Sequence, residues 1–254
     1  IDSGGSDADQ HRDGDWLSHD ERYKRTSEYI QILKNTWTSK TPFNFNGEFY
    51  TIENGYSEIK PYHTTSIPLY FGGASSIANT IGGLYADVYA LWGEPLESIK
   101  EQIQTITAIG SNRATKIQFS LSVRPIIAKT EKLAWEKANS ILEKVKQTLG
   151  NTLKSGESSR PQSMGSRRVL DHALSQDTYD SRLWMPIALA SGASGSTTAL
   201  VGTSEQVVDS LIEYYKLGCS KFIIRGFDPL SDTIEYGHEL IPMLKEKVSL
   251  LSEL

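Results

Sequence analysis

Between Ser18 and Thr38 apolar side chains return at mostly helical spacing, at Tyr23, Ile30, Leu33 and Trp37, with polar residues between them. That periodicity predicts an amphipathic helix. Ser18 stands three residues before Glu21, the spacing at which each side chain accepts a hydrogen bond from the other's backbone N–H, so the helix is expected to start there. Just beyond it, Phe43 to Ile52 alternates aromatic and polar positions around Asn46-Gly47. Both turn residues tolerate positive φ, and the pattern predicts a small β-hairpin.

From Ile67 the chain repeats a short apolar run, a turn and an amphipathic segment. Strands are expected at 67–71, 87–92, 116–127 and 221–225. Helices are expected at 77–84, through Ile106, at 131–149, at 204–217 and at 231–248, the last irregular at Pro242. Such alternation with short connections predicts a parallel sheet joined by right-handed crossovers. With Ile1-Asp2 read as the end of a further strand, about four and a half strands can be counted against the eight of a closed barrel. The expected fold is therefore α/β, an incomplete (β/α)8 TIM barrel whose first strands precede Ile1, forming a single domain over residues 1–254.

Two intervals carry no such rhythm. Ser3 to Asp15 is Gly- and Asp-rich and reads as a polar loop. Gly150 to Thr198 is rich in Ser, Gly and Arg, with no strand signal, one short helical stretch at 166–174 and an apolar run at 183–190. Long structureless runs inside a compact domain serve as lids or are disordered insertions. A mobile lid over about 150–181 is the expectation.

Composition narrows the partner. The chain has 26 Lys and Arg against 31 Asp and Glu, a net charge of -5. That balance argues against an electrostatic grip on nucleic acid or on anionic lipid and favours a small-molecule partner. No apolar stretch approaches the roughly 18 residues that a membrane span needs. The one cysteine, Cys219, excludes a disulfide within the chain and suits a reducing, cytoplasmic setting. The histidines at 11, 19, 63, 172 and 238 have no Cys or carboxylate partners at ligand spacing, so no metal site is expected. His19 reads as structural. No Ser-His-Asp nucleophile elbow is present either.

Six stretches, in order and at consistent spacing, carry a resemblance that covers nearly the whole chain. They are Ser3-Gly4-Gly5-Ser6-Asp7, His19-Asp20-Glu21-Arg22-Tyr23, the run Pro68 to Ser75, Leu91-Trp92-Gly93-Glu94-Pro95, Thr198 to Gly202 and Gly226-Phe227-Asp228-Pro229-Leu230. Together they resemble the bacterial luciferase-like, flavin-dependent monooxygenases, in particular those of the alkanesulfonate type. The resemblance implies the (β/α)8 barrel with a late insertion, and a chain that begins at the end of the fourth strand. It implies a reaction in which FMNH2 and O2 oxidise a small organic substrate, an alkanesulfonate or related organosulfur compound. The reduced FMN would come from a separate NAD(P)H-dependent flavin reductase, and the protein would be a homo-oligomer.

The resemblance also suggests site residues. Ser3 and Ser6 after the first strand, with Gly73, Ala74, Ser75 and Ser76 after the second, match positions from which the family holds the FMN phosphate. Gly- and Ser-rich turns suit that task because they offer backbone N–H groups and hydroxyls to a dianion. Ser75 or Ser76 equally suits a helix N-cap. Trp92, at the end of its strand, would form a flat wall beside the isoalloxazine or the substrate; it equally reads as core. Arg124, a charge within an apolar strand, demands a partner and would bind a sulfonate or an oxygen anion on the cofactor. Arg225 would replace a lost cation, or else sit in a surface ion pair. The alkanesulfonate pattern is broken at Ser122 and Arg124, where that group places Arg and His, at Ser191, where it places a lid arginine, and at Phe227, where it places a tyrosine. These departures bear on the substrate more than on the flavin. A deazaflavin-dependent oxidoreductase on the same barrel and a non-catalytic barrel fragment are the competing readings.

Overall fold

In the computed structural model, residues 1–4, 6–62, 67–150 and 161–252 are described. They divide into two compact units, one formed by 1–89 and 105–117, the other by 90–104 and 118–254.

The first unit opens with Ile1 bonded to the strand β3 (Tyr70–Gly72): its ammonium donates to Tyr70 O at 2.5 Å and its carbonyl accepts from Gly72 N at 3.4 Å. The segment expected to be a loop instead contains a short helix, α1 (Asp7–Arg12). Ser6 caps it and Asp7 and Asp9 occupy its first turn, where carboxylates meet the free N–H groups. The run of aspartates that hid a helix from pattern reading is what starts it. The long helix α2 (His19–Thr38) begins with the expected capping box, Ser18 N donating to Glu21 Oε2 at 2.8 Å and Glu21 N to Ser18 Oγ at 3.5 Å. The hairpin is present as β1 (Phe43–Asn46) against β2 (Thr51–Gly55). Its turn is held from outside the hairpin, since the Glu28 carboxylate of α2 accepts from the N–H groups of Glu48, Phe49 and Tyr50. Helix α3 (Ser76–Tyr85) follows β3, and the core of this unit lies between α2, β3 and α3. Ile30, Phe71, Ala78 and Tyr89 are buried there, with the Phe71 ring 6.3 Å from Tyr23 and 5.8 Å from Tyr89.

The strand β4 (Val88–Trp92) starts in the first unit and ends in the second, as helix α4 (Leu96–Ile109) runs from the second back to the first. The centre of the second unit is the ten-residue strand β5 (Gln118–Ile127). Its first half pairs in parallel with β9 (Cys219–Ile224), and its second half in parallel with β8 (Ala199–Gly202). Helix α5 (Glu131–Gly150) covers it, burying Ala134, Ala138 and Leu142 against Ile126, Trp184, Ile187 and Val201.

The interval from 150 to 198 corrects the expectation of no strand. After α6 (Met164–Ser175) come two two-residue strands, β6 (Thr178–Tyr179) and β7 (Leu183–Trp184), then α7 (Pro186–Ala190). β7 pairs antiparallel with both β6 and β8. Strands this short carry no alternation to read; β7 exists because β8 offers it a partner, and β6 because β7 does. Residues 151–160 of the expected lid lie outside the described residues.

The chain closes with α8 (Ser204–Leu217), which has its own capping box at Thr203 and Gln206 and ends at Gly218, where φ of 115° suits a residue without Cβ. Then come β9, α9 (Pro229–Glu235), a π-helical turn over Tyr236–Leu240, and α10 (Ile241–Ser252). The expected irregularity at Pro242 is this turn: proline has no N–H to give and its ring crowds the preceding turn, so the helix widens ahead of it. Cys219 is buried and unpaired, and burial pushes its thiol up to about 12, so it behaves as a small apolar residue. Among the described residues no helix is long and apolar enough to cross a membrane, and no group of His, Cys, Asp and Glu is arranged to hold a metal ion.

Candidate active site residues in two clusters

The first cluster is built where β3 turns into α3. Ser75 is the N-cap of α3, its hydroxyl accepting from Ala78 N at 3.3 Å. Gly73 lies so close to its neighbours that a Cβ there would stand 2.6 Å from Ala78 Cβ and 2.9 Å from the Tyr23 hydroxyl. Only a glycine lets this turn settle against that phenol. Tyr23, 5% exposed on α2, brings its hydroxyl to the Gly73 turn, near the Ser3 and Ser75 hydroxyls. Burial raises its pKa, and the nearby Ser3 and Ser75 hydroxyls oppose that rise. The Ser3 hydroxyl is close enough to bias the phenol yet forms no hydrogen bond of acceptable geometry, and it is buried without a partner. A buried hydroxyl left unpaired costs free energy unless a ligand completes it.

Three of the six expected phosphate-binding residues, Ser3, Gly73 and Ser75, therefore converge, and Ala74 lies in the same turn. Ser76 is the exposed first residue of α3. Ser6 is engaged elsewhere, its hydroxyl accepting from Asp9 N at 3.3 Å to cap α1. The residue missed from sequence is Tyr23. A helical position at apolar spacing, here with His19 at 4.9 Å, shows nothing in sequence of where its hydroxyl points.

The second cluster lies within β5 and just beyond the end of β9. Arg124 is half-buried; its Nε donates to Ser196 O at 2.8 Å and its Nη1 to Gly226 O at 3.1 Å, and its guanidinium lies 4.8 Å from the centre of the Phe227 ring. Register places Val123 opposite Ile224, so Arg124 and Arg225 follow each other on adjacent strands. Burial lowers the Arg124 pKa and the Arg225 charge lowers it further. Among the described residues neither arginine has a carboxylate partner. Arg124 thus sits on two carbonyls and an aromatic face beside a second cation, Arg225. Phe227, in place of the expected tyrosine, supplies that face, and Ser122, in place of the expected arginine, offers its carbonyl to the Ser196 hydroxyl at 3.1 Å. Ser191 is tied into its own loop through Ala188 O at 3.2 Å.

Trp92 is half-buried, and its ring rests against Gly165 of α6. Two residues on, Glu94 is 2% exposed and takes a two-pronged ion pair from Arg168 of α6, the shortest contact 2.7 Å. His172 Nε2 lies 3.5 Å from the same carboxylate and 3.2 Å from Ser98 Oγ, and the Tyr214 hydroxyl donates to the Glu94 carbonyl at 2.9 Å. Burial alone would raise the Glu94 pKa, but hydrogen bonds from His172 and Arg168 outweigh it and the net shift is downward. This buried ion pair fastens the insertion helix to the end of β4. A cleft of about 380 Å³ elsewhere in this unit is lined by Asp180, Arg182, Leu200 and Tyr214, and holds none of the expected site residues.

A turn of hydroxyls and backbone N–H groups at the end of a strand, followed by a helix N-terminus, is the kind of site at which (β/α)8 proteins hold phosphates. Residues 1–221 match the model of the luciferase-like monooxygenases, and the chain belongs to that family. Its fold is the luciferase-like TIM barrel. Among solved structures it is similar to riboflavin lyase with modified FMN and riboflavin (TM-score 0.71, 18% identity, 94% of this chain and 60% of that one). It is also similar to EDTA monooxygenase from Chelativorans sp. BNC1 (TM-score 0.72, 16% identity, 96% of this chain and 64% of that one). An F420-dependent secondary alcohol dehydrogenase matches with a TM-score of 0.60 at 15% identity, over 96% of this chain and 67% of that one. The 254 residues thus span less than two-thirds of the first two of these proteins.

Proposed function

We propose that the protein is an FMNH2-dependent monooxygenase that uses O2 to oxidise a small organic anion, an alkanesulfonate or related organosulfur compound. The observation that carries this reading is the convergence of the Ser3, Tyr23 and Ser75 hydroxyls on the Gly73 turn, with Ser3 left unpaired. The residues fit a flavin phosphate: hydroxyls and N–H groups are the donors a dianion needs, and the first turn of α3 adds its dipole. Ser3, Tyr23, Ser75 and the N–H groups of the turn would hold the phosphate. When bound, reduced FMN supplies the electrons with which one oxygen atom of O2 is transferred to substrate. Arg124 and Arg225 hold the substrate's anionic group, and Trp92 forms an apolar wall that keeps water from the reacting atoms. FMNH2 comes from a separate NAD(P)H-dependent flavin reductase, and the protein works as a homo-oligomer in the cytoplasm.

The test is a titration of the purified protein with FMN, reduced FMN and the deazaflavin F420, followed by turnover of an alkanesulfonate panel with O2 and a flavin reductase. Tight binding of FMN with sulfite release is expected; absence of both defeats the proposal, and binding of F420 alone assigns the protein to the deazaflavin enzymes. Arg124→Met is expected to raise KM for the sulfonate at least tenfold, as the loss of a charge-assisted hydrogen bond requires, while leaving the FMN affinity unchanged.

A further inference from the structure

Tyr89 is not among the residues assigned to the flavin phosphate, yet its hydroxyl is bonded to the turn that carries them. The residue is fully buried, 0% exposed, at the start of β4. Its hydroxyl oxygen lies 3.1 Å from Gly73 O and 2.9 Å from Asn79 Oδ1. A phenol has one proton, so both contacts are satisfied when it donates to Gly73 O and the Asn79 carboxamide is turned to give an N–H to the phenol oxygen. The result is a relay running from α3 through Tyr89 to the Gly73 carbonyl.

The consequence follows from the peptide bond. Its planar trans geometry makes the carbonyl of Gly73 and the N–H of Ala74 point in opposite directions. Fixing the carbonyl on the buried phenol therefore turns the Ala74 N–H away from the core. Among the described residues no group accepts from that N–H. The neighbouring Ser3 hydroxyl is likewise unpaired.

We propose that Tyr89 is a positioning residue for an anion: by locking the Gly73–Ala74 peptide it keeps the Ala74 N–H facing the phosphate of the flavin. The inference rests on the cradle reading above and goes beyond it, because it gives a buried side chain without ligand contact a part in selecting phosphorylated flavin. A phenol that merely satisfies the core would show no such selectivity.

The experiment compares FMN with riboflavin, which share the ring and differ by the phosphate, in fluorescence titrations of the wild-type protein and Tyr89→Phe. The wild type is expected to prefer FMN. The variant is expected to bind FMN about tenfold more weakly, the loss of one hydrogen bond that organises the site, with riboflavin affinity unchanged. Equal losses for both ligands, or no loss for either, overturn the positioning role while leaving the cradle intact. A wild type without preference for FMN overturns the cradle itself and the positioning role with it. If Tyr89→Phe does not fold, Asn79→Leu breaks the same relay from its other end and is expected to lower FMN affinity in the same selective way.

Discussion

The two clusters present their donors by opposite means. The turn at Gly73 uses hydroxyls and backbone N–H groups, fixed by the close approach of Tyr23 and by the Tyr89 contact with the backbone. The cluster on β5 and β9 uses whole charges, with Arg124 carried by two carbonyls and a ring, and in the same unit Glu94 is locked to Arg168 and His172. Dipolar donors attract only at short range and so demand shape, whereas cations attract without demanding much geometry. The first cluster is therefore sensitive to atoms added or removed and the second to charge.

That contrast can be broken most forcefully at Glu94. Glu94→Ala removes one partner of a buried ion pair and leaves Arg168 and His172 uncompensated, so unfolding free energy is expected to fall by about 3 kcal/mol, the low end for such pairs because Arg168 is partly exposed. Chemical denaturation measures this, and a loss below about 1 kcal/mol would mean that the pair behaves like one on the surface.

A smaller effect is expected in acid. The folded-state pKa of Glu94 lies below its ordinary value, so its contribution to stability is fully present above the usual glutamate pKa of about 4.3 and is lost as pH falls through the lower folded value. The difference in urea midpoint between wild type and Glu94→Gln should accordingly shrink below about pH 4.3 and stay constant above it. A difference that grows on acidification contradicts the downward shift.

The smallest effect belongs to the neutral cluster. Ser75→Ala removes the N-cap of α3 and should cost about 1 kcal/mol in thermal or chemical unfolding. It should also weaken FMN more than riboflavin. Sensitivity to pH between 5 and 8 in that binding, beyond the phosphate's own ionisation, would show that the cluster depends on charge after all.

How far each cluster can be read from sequence follows from the same distinction. Ser3, Gly73 and Ser75 stand out because turn chemistry is local: a Gly-Gly-Ala-Ser run after an apolar segment reads as a strand-to-helix turn without knowledge of the fold. Arg124 stands out because a charge in an apolar strand is conspicuous. Tyr23 and Tyr89 do not, since an aromatic residue on a helix or strand looks like core, and both rings are indeed buried. The roles proposed for them lie in hydroxyls whose partners are set by the packing of separate elements. Glu94 was visible only as part of a Gly-Glu-Pro turn, because Arg168 and His172 lie more than seventy positions away.

What the amino-acid order determined by itself is the set of elements with strong local signals. The capping boxes at Ser18 and Thr203, the hairpin at Asn46-Gly47, the apolar runs of β4, β5 and β9 and the break ahead of Pro242 all depend on neighbours within a turn or two. Tertiary structure alone decided the rest. The two-residue strand β7 exists through pairing with β8 and β6 through pairing with β7, and the first turn of α1 forms where Arg22 of α2, buried to 2% exposure, meets Asp7 at 2.9 Å. The hydroxyl of Tyr23 is brought to Ser3 and Ser75 by the packing of α2 on α3. Local preferences act through bonds and nearest neighbours, while these contacts are chosen by burial, which depends on the whole chain at once.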